Sequence, residues 1–236
     1  MMIDIRDYAK KVYSQRGEDG MIEKVFSTLG IESGHAVELG AWDGKHLSNV
    51  YNLIKKGWSS TLIECDSDKF AELVENMAEF DNCVTVNKKV SLEAGETLDE
   101  ILLSANTPHE FDILSLDLDG IDYWVWRSLS FRPKLVLVEY NSNWEGATTC
   151  PYDTSHVWPG TQFYGASGKA FDNLAKSKGY ELIGHVPNIN MFFIRNDLNN
   201  GLFNTLDVDT GFHISKNHHP PMSEEHFNSL VHNPPL

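Results

Sequence analysis

Val37-Glu38-Leu39-Gly40-Ala41-Trp42-Asp43-Gly44 is the stretch on which the fold turns. An apolar run meets a glycine, and a second glycine follows four positions later. That pattern reads as a strand ending in a tight turn ahead of a helix. Gly40 lets the backbone turn against a ligand, and Gly44 permits close approach at the helix start. A dinucleotide site would add a middle glycine and seat a pyrophosphate on the helix N-terminus. Trp42 occupies that middle position and crowds a diphosphate, while Asp43 adds negative charge where an anion would sit. Glu38, at the strand end, suits a cation or a hydroxyl.

Outward from this stretch, apolar periodicity sets out the other elements. Met21, Ile22, Val25, Phe26 and Leu29 have helical spacing, with Gly30 as a stop. Residues 35–39 read as a strand and residues 48–56 as a helix closed by Gly57. Residues 60–65 form an apolar run ending at Glu64, where a carboxylate can accept from both hydroxyls of a ribose. The plainer reading of Glu64 is a solvated strand end. Helices are expected at residues 68–80, 97–104, 123–129 and 169–178, and strands at residues 83–86, 111–118 and 135–139. Residues 180–186 and 191–195 read as a hairpin across Pro187. Alternating strands and helices imply an α/β, doubly wound, mostly parallel sheet. The hairpin makes the final strand antiparallel, which gives a Rossmann-like fold.

A third signal is Ser115-Leu116-Asp117-Leu118-Asp119-Gly120-Ile121-Asp122. Asp117 and Asp119 are two apart, so an extended chain points them to one face. The next strand delivers Glu139, Tyr140 and Asn141 to the same edge. Carboxylates and an amide carbonyl are hard oxygen ligands that suit Mg²⁺ or Ca²⁺, and a carboxylate there can also serve as general base. Capping of the next helix by Asp119 or Asp122 accounts for one of the three aspartates.

Taken in order, these segments resemble the FkbM-type S-adenosylmethionine-dependent methyltransferases. Residues 37–44 are similar to that family's first motif, and Leu62-Ile63-Glu64 with Phe70, Leu73 and Asn76 to its second. Residues 116–120 resemble its fourth-strand motif, and residues 190–195 its closing strand. The likeness spans residues 15–197. Trp42-Asp43 departs from the usual Asn-hydrophobic pair, Asp119 stands where Glu is frequent, and residues 141–168 match no general motif. The resemblance implies a class I methyltransferase fold and S-adenosylmethionine bound by Glu38, Gly40, Asp43, Gly44, Asn49 and Glu64. It also implies O-methylation of a sugar, glycan or small natural-product hydroxyl. Partial similarity to metal-dependent sugar O-methyltransferases adds a divalent ion, Mg²⁺ or similar, on Asp117, Asp119, Glu139 and Asn141. Metal-free catalysis, with Asp119 or His156 as base, stays open. So do two other classes: a nicotinamide oxidoreductase and a non-catalytic module that keeps the fold.

Composition narrows the partners. The 236 residues carry a formal net charge of −15, from 34 acidic residues against 19 Lys and Arg. Such a surface repels phosphate backbones, so nucleic acid is disfavoured. No apolar run approaches the roughly 20 residues of a membrane span, and the N-terminus lacks a signal-peptide core. Cys65, Cys83 and Cys150 form no CxxC pair, which reads as a reducing, cytoplasmic setting. Cys150 has no sequence neighbour to activate it as a nucleophile. The chain divides into a methyltransferase-like domain, residues 1–197, with residues 1–34 as helical lead-in, and a His/Pro-rich extension, residues 198–236. Residues 141–168 form a long irregular loop, which is usually functional; its Trp144 and Trp158 can stack on a sugar ring, while Trp124 and Trp126 read as packing. His218 and His219 read as part of a loosely packed tail.

Overall fold

The computed structural model describes residues 2–209 and 219–236; His213 and His218 lie outside them. The first half of the chain forms α1 (Glu18–Leu29), β1 (His35–Leu39), α2 (Tyr51–Lys55), β2 (Ser59–Glu64), α3 (Ser67–Met77) and β3 (Cys83–Asn87). Then follow α4 (Leu98–Ser104), β4 (Ile113–Leu116), α5 (Asp122–Ser128), β5 (Leu135–Glu139) and β6 (Thr148–Thr149). The chain continues through α6 (Gly168–Ser177), β7 (Tyr180–His185), β8 (Asn190–Arg195), α7 (Asn196–Asn199), α8 (Glu224–Ser229) and β9 (Val231–His232).

The seven-stranded sheet has the order β3-β2-β1-β4-β5-β8-β7. The first five strands are parallel, and β8 runs antiparallel to both β5 and β7. The expected Rossmann-like class, an α/β doubly wound and mostly parallel sheet with an antiparallel strand, is the one observed. The reversed strand lies one place inside the edge, because the hairpin folds back to insert β8 between β5 and β7.

Strand β5 shows why its sequence lacks polar alternation. Val136 and Val138 enter the core on one face, while Leu135 and Leu137 enter the core on the other. The first core is closed by Leu98, Ile101 and Leu102 of α4, Trp126 of α5, and Phe171 and Leu174 of α6. The second is closed by Met21, Ile22 and Phe26 of α1, Leu53 and Ile54 of α2, and Leu73 and Met77 of α3. A strand covered on both faces must be apolar throughout. Trp126 is fully buried, and the indole of Trp124 donates to the Cys150 carbonyl, tying α5 to the long loop.

Two segments depart from a bare sheet with its helices. At the N-terminus, the Asp19 carboxylate accepts from the backbone amides of Val12, Tyr13 and Ser14 and from the Ser14 hydroxyl, all on one oxygen. This gathers the arm against the start of α1, and Ser14 bridges to Leu47. At the other end, residues 219–236 pack against the long loop instead of trailing from it. Strand β9 pairs with β6, the Tyr123 hydroxyl donates to the Pro235 carbonyl, and His226 stacks on Phe163 at 4.1 Å. Trp158 meets Tyr164 and His219 edge-on. No helix among the described residues is long and apolar enough to cross a membrane.

The buried Asp19 hub generates a stability prediction. Replacing Asp19 by Ala strands three backbone donors, so urea unfolding should show a loss of about 2–3 kcal/mol, with Asp19→Asn losing less. A loss under about 0.5 kcal/mol would mean that other contacts hold the arm.

Candidate functional site

The sheet grows in opposite directions from β1 and β4, so a crevice opens beyond their carboxyl ends. The two backbones nearly touch there. A Cβ on Gly40, which has φ +67°, would stand 2.1 Å from the Asp117 carbonyl oxygen. Glycine is therefore required at this position by the neighbouring strand's backbone.

Gly44 and Asp43 are placed differently from the sequence-based expectation. A Cβ on Gly44 would meet Leu73 at 2.5 Å, so Gly44 packs on α3 and opens no helix. The Asp43 carboxylate caps the amides of Lys45 and His46, and neither Asp43 nor Gly44 lines the crevice. Asn76 donates to the Asp43 carbonyl at 2.9 Å. Leu73 and Asn76 of the second motif thus clamp the loop of the first. Helix α2 starts at Tyr51 rather than near residue 48, because Ser48 and Asn49 are held elsewhere.

Their holder is Glu38. Its carboxylate accepts from the Ser48 hydroxyl at 2.6 Å and from the Asn49 amide at 2.8 Å. Ser48 Oγ in turn accepts from the amides of Val50 and Tyr51. Glu64 does the same for the loop's beginning, accepting from the Trp42 amide at 2.9 Å and the Asp66 amide at 2.8 Å. The donors that cradle a phosphate in a dinucleotide site are here engaged by protein oxygens. The loop offers carboxylates to a ligand, so it suits a cation and refuses a pyrophosphate.

The crevice encloses about 460 Å³ and is lined by Glu38, Gly40, Trp42, Asn49, Glu64, Ser115, Asp117 and Asp119, among others. Asn49 donates to Ser115 Oγ at 3.0 Å, and its own Oδ1 is buried without a hydrogen-bond partner. That orphan acceptor calls for a donor from a ligand or water. A slot of about 120 Å³ adjoins the crevice; Ile63, Val90 and Ile121 form its apolar walls, Lys88, Lys89, Asp153, Thr154 and His156 its polar ones, and it shares Gly40, Glu64, Cys65 and Leu118 with the crevice. A larger groove, lined by Lys24, Phe26, Glu32, Lys56 and Trp58, shares no residue with the crevice.

Three carboxylates meet at the adjoining edge. Oxygens of Asp117, Asp119 and Glu139 lie within 4.8 Å of one another. Asp117 and Asp119 are solvent-exposed on the crevice side, and Glu139 is half-buried. Desolvation, then repulsion from Asp119, Asp122 and Glu38, pushes the Asp117 carboxyl well above the usual range. Glu139 is pushed well up by burial and then by the three aspartates. Asp119 is raised by desolvation, against the opposing pull of His156 and His219. Asp119 also holds φ +56°, an uncommon left-handed conformation that Asp tolerates better than most residues. Asp122 does not cap the next helix. It turns back to accept from the amides of Leu118 and Gly120, and burial raises it to about 6.

Asn141 does not join this cluster. Its amide nitrogen donates to the carbonyls of Gln162 and Tyr164, and its oxygen accepts from the Asn143 amide. It closes the long loop on itself, so the structure removes it from the metal-ligand set expected from sequence. His156 does approach the cluster. Its Nε2 lies 3.0 Å from the Asp119 carbonyl, which can only accept, so Nε2 donates there. Gly120 makes this possible, since a Cβ there would meet the His156 ring at 2.3 Å. Sequence reasoning passed over Ser48 and Ser115. Ser115 was detectable, because it lies two residues before Asp117 on one strand face.

No family model matches the sequence, and no curated protein matches it. Among solved structures, the N-terminal domain of EvdMO1, crystallised in the presence of SAH and D-fucose, is similar with a TM-score of 0.48 at 11% identity, over 82% of this chain and 97% of that one. The Methanococcus jannaschii fibrillarin pre-rRNA processing protein gives 0.44 at 14% identity, over 70% and 67%. M. capricolum TrmK, in complex with S-adenosylhomocysteine, gives 0.43 at 8% identity, over 73% and 68%.

Burial raises Glu38 to about 7, despite the hydrogen bonds from Ser48 and Asn49 that favour its ionised form. Between about pH 4.5 and 7 the folded protein then holds a proton that the unfolded chain has released. Stability should fall as pH rises through that window and level off above it. Glu38→Gln should flatten the slope, removing on the order of 3 kcal/mol of pH dependence. An unchanged slope in denaturant titrations across that range would refute the assignment.

Proposed function

We propose that this protein is an S-adenosylmethionine-dependent O-methyltransferase acting on a hydroxyl of a sugar, glycan or small natural product. The observation that carries the cofactor reading is the loop after β1. Its amides are engaged by Glu38, Glu64 and Asp43, and its ligand-facing groups are acidic. This environment suits a cofactor with a sulfonium and an ammonium group and no phosphate, and disfavours a nicotinamide dinucleotide. The FkbM-like order of motifs in the sequence supports the same reading. Glu64 would hold the ribose hydroxyls through its remaining lone pairs, and the orphan Oδ1 of Asn49 would accept from the amino-acid end. The apolar walls of Ile63, Val90, Leu118 and Ile121 in the adjoining slot would take a flat heterocycle, with the polar groups beside them reaching its edge.

When bound, the cofactor supplies an activated methyl group. The protein's own task is to align an acceptor oxygen and to take its proton. The ring of Asp117, Asp119 and Glu139 contains carboxyls held well up, which moves them toward the range a general base needs near neutral pH. Their hard oxygen donors and close spacing also fit a divalent ion such as Mg²⁺, which would neutralise their mutual repulsion and lower the acceptor's pKa. The long loop would close over a bound acceptor and exclude water from this edge. A second reading of the base rests on His156, whose ring is held beside the cluster by the bond from Nε2 to the Asp119 carbonyl.

Calorimetry with S-adenosylhomocysteine and with NAD checks the cofactor: the first should bind, and Glu64→Ala should weaken it by roughly 10-fold or more. Binding of NAD alone would end the reading. In a methyl-transfer assay over glycans and small hydroxylated acceptors, Asp117→Asn and Asp119→Asn should abolish turnover and leave cofactor affinity nearly intact. Full activity after exhaustive chelation would remove the metal, and full activity in both Asn variants would remove the carboxylate cluster from catalysis.

A further inference from the structure

The crevice beyond β1 and β4 is lined by Glu38, Glu64, Asp117 and Asp119, and among its lining residues only His46 can carry a positive charge. His46 is exposed, and its ring makes no hydrogen bond, ion pair or ring contact among the described residues. The lysines that flank the loop are turned elsewhere. Lys45 lies over the Tyr51 ring at 5.8 Å, and Lys69 lies over the Trp42 ring at 4.6 Å and bonds Glu72.

The loop's backbone is equally committed. Asp43 takes the amides of Lys45 and His46, Glu38 takes that of Asn49, and Ser48 Oγ takes those of Val50 and Tyr51. The Ser48 amide meets the Lys45 carbonyl, and Leu47 is bridged to Ser14. The polar side chains deeper in the crevice are spent as donors too. Ser48 and Ser115 bond Glu38, and Asn49 Nδ2 bonds Ser115. A carboxylate entering this crevice therefore meets acidic groups and two spare side-chain N–H donors, the His46 imidazole and the Trp42 indole.

We propose, resting on the cofactor reading above, that His46 binds the carboxylate at the amino-acid end of S-adenosylmethionine. It is then the residue by which this crevice distinguishes that cofactor from ligands lacking the group. The amino-acid end is zwitterionic. Its ammonium is drawn to the acidic lining and to Asn49 Oδ1, while its carboxylate is repelled by the same lining unless a donor meets it. His46 stands three residues before Asn49 on the loop that Glu38 grips, so one loop presents a donor for the carboxylate and an acceptor for the ammonium. An imidazole donates an N–H when neutral and adds a charge when protonated, and a hydrogen bond to an ionised acceptor is the stronger kind. Trp42 can donate but brings no charge, and its ring face is already covered by Lys69.

Calorimetry on the full chain compares S-adenosylhomocysteine with its decarboxylated analogue, which keeps the adenosine, the thioether and the amine. The parent should bind S-adenosylhomocysteine more tightly. His46→Ala should weaken S-adenosylhomocysteine roughly 10-fold or more, and the analogue by less than about twofold. His46→Gln, which keeps an N–H donor, should recover part of the loss. Because the ring is exposed, both His46 variants should unfold at the parent's urea midpoint. Equal losses for the two ligands in His46→Ala, no loss, or a parent that prefers the analogue overturns the assignment, while binding of S-adenosylhomocysteine by the parent keeps the cofactor reading. The assignment also falls if Trp42→Phe, and not His46→Ala, gives the carboxylate-dependent loss. A parent that binds neither ligand ends the cofactor reading and this assignment with it.

Discussion

Two carboxylates, Glu38 and Glu64, hold the loop after β1 by its backbone amides, and the site depends on that grip. Without it, the loop's donors would point outward and attract an anion. With it, the same backbone presents acidic groups and the orphan oxygen of Asn49. The grip also explains the geometry. Glu38 holds Ser48 and Asn49 out of helical conformation, so α2 is short and the crevice stays open beneath Trp42 and Leu47. Both of these residues are bulky yet hold left-handed backbone conformations, at φ 51° and 58°. Such conformations cost of order 1–3 kcal/mol and persist only where the surroundings dictate them.

The sheet was legible because its code is burial. Leu135 to Val138 read as a doubly covered strand, and the alternate assignment of these residues to two cores is what their lack of polar positions means. The hairpin around Pro187 was legible from its punctuation. The site was legible only in part. Gly40 and Gly44 were marked by their spacing, but what they make room for is the Asp117 carbonyl and the Leu73 side chain. Sequence shows that a side chain is absent, and not which neighbour needs the space. Asn141 failed for a related reason. It stands beside Glu139 in sequence, but an amide with both ends can be spent on the nearest carbonyls, and the long loop supplied them. The packing of residues 219–236 on that loop was invisible, since the contacts rest on ring stacking and two-residue strands with no periodic signature.

The acidic edge and the strained rim share one property. Asp117, Asp119 and Glu139 repel one another, and Asp119 carries a left-handed backbone as well. An arrangement of this kind is held in place by the surrounding fold and gives up free energy when a positive charge arrives. Under the proposed function, part of the affinity for a positively charged group would come from relief of repulsion already present in the free protein, as well as from new contacts.

The hairpin of β7 and β8 has a consequence for how the chain reaches this state. Every other neighbour pair in the main sheet is joined across intervening segments, with large entropic costs of closure. β7 and β8 are joined by a tight turn and can pair before anything else is in place. The preformed ribbon then offers β5 an antiparallel edge on which to align, and β5 fixes the register of β4 through parallel pairing. The crevice between β1 and β4, at the middle of the sheet, would be completed only after β5 and β4 have aligned on that ribbon. On this view the speed of maturation is set by the slow parallel pairings of high contact order, and local helix formation has little influence on it.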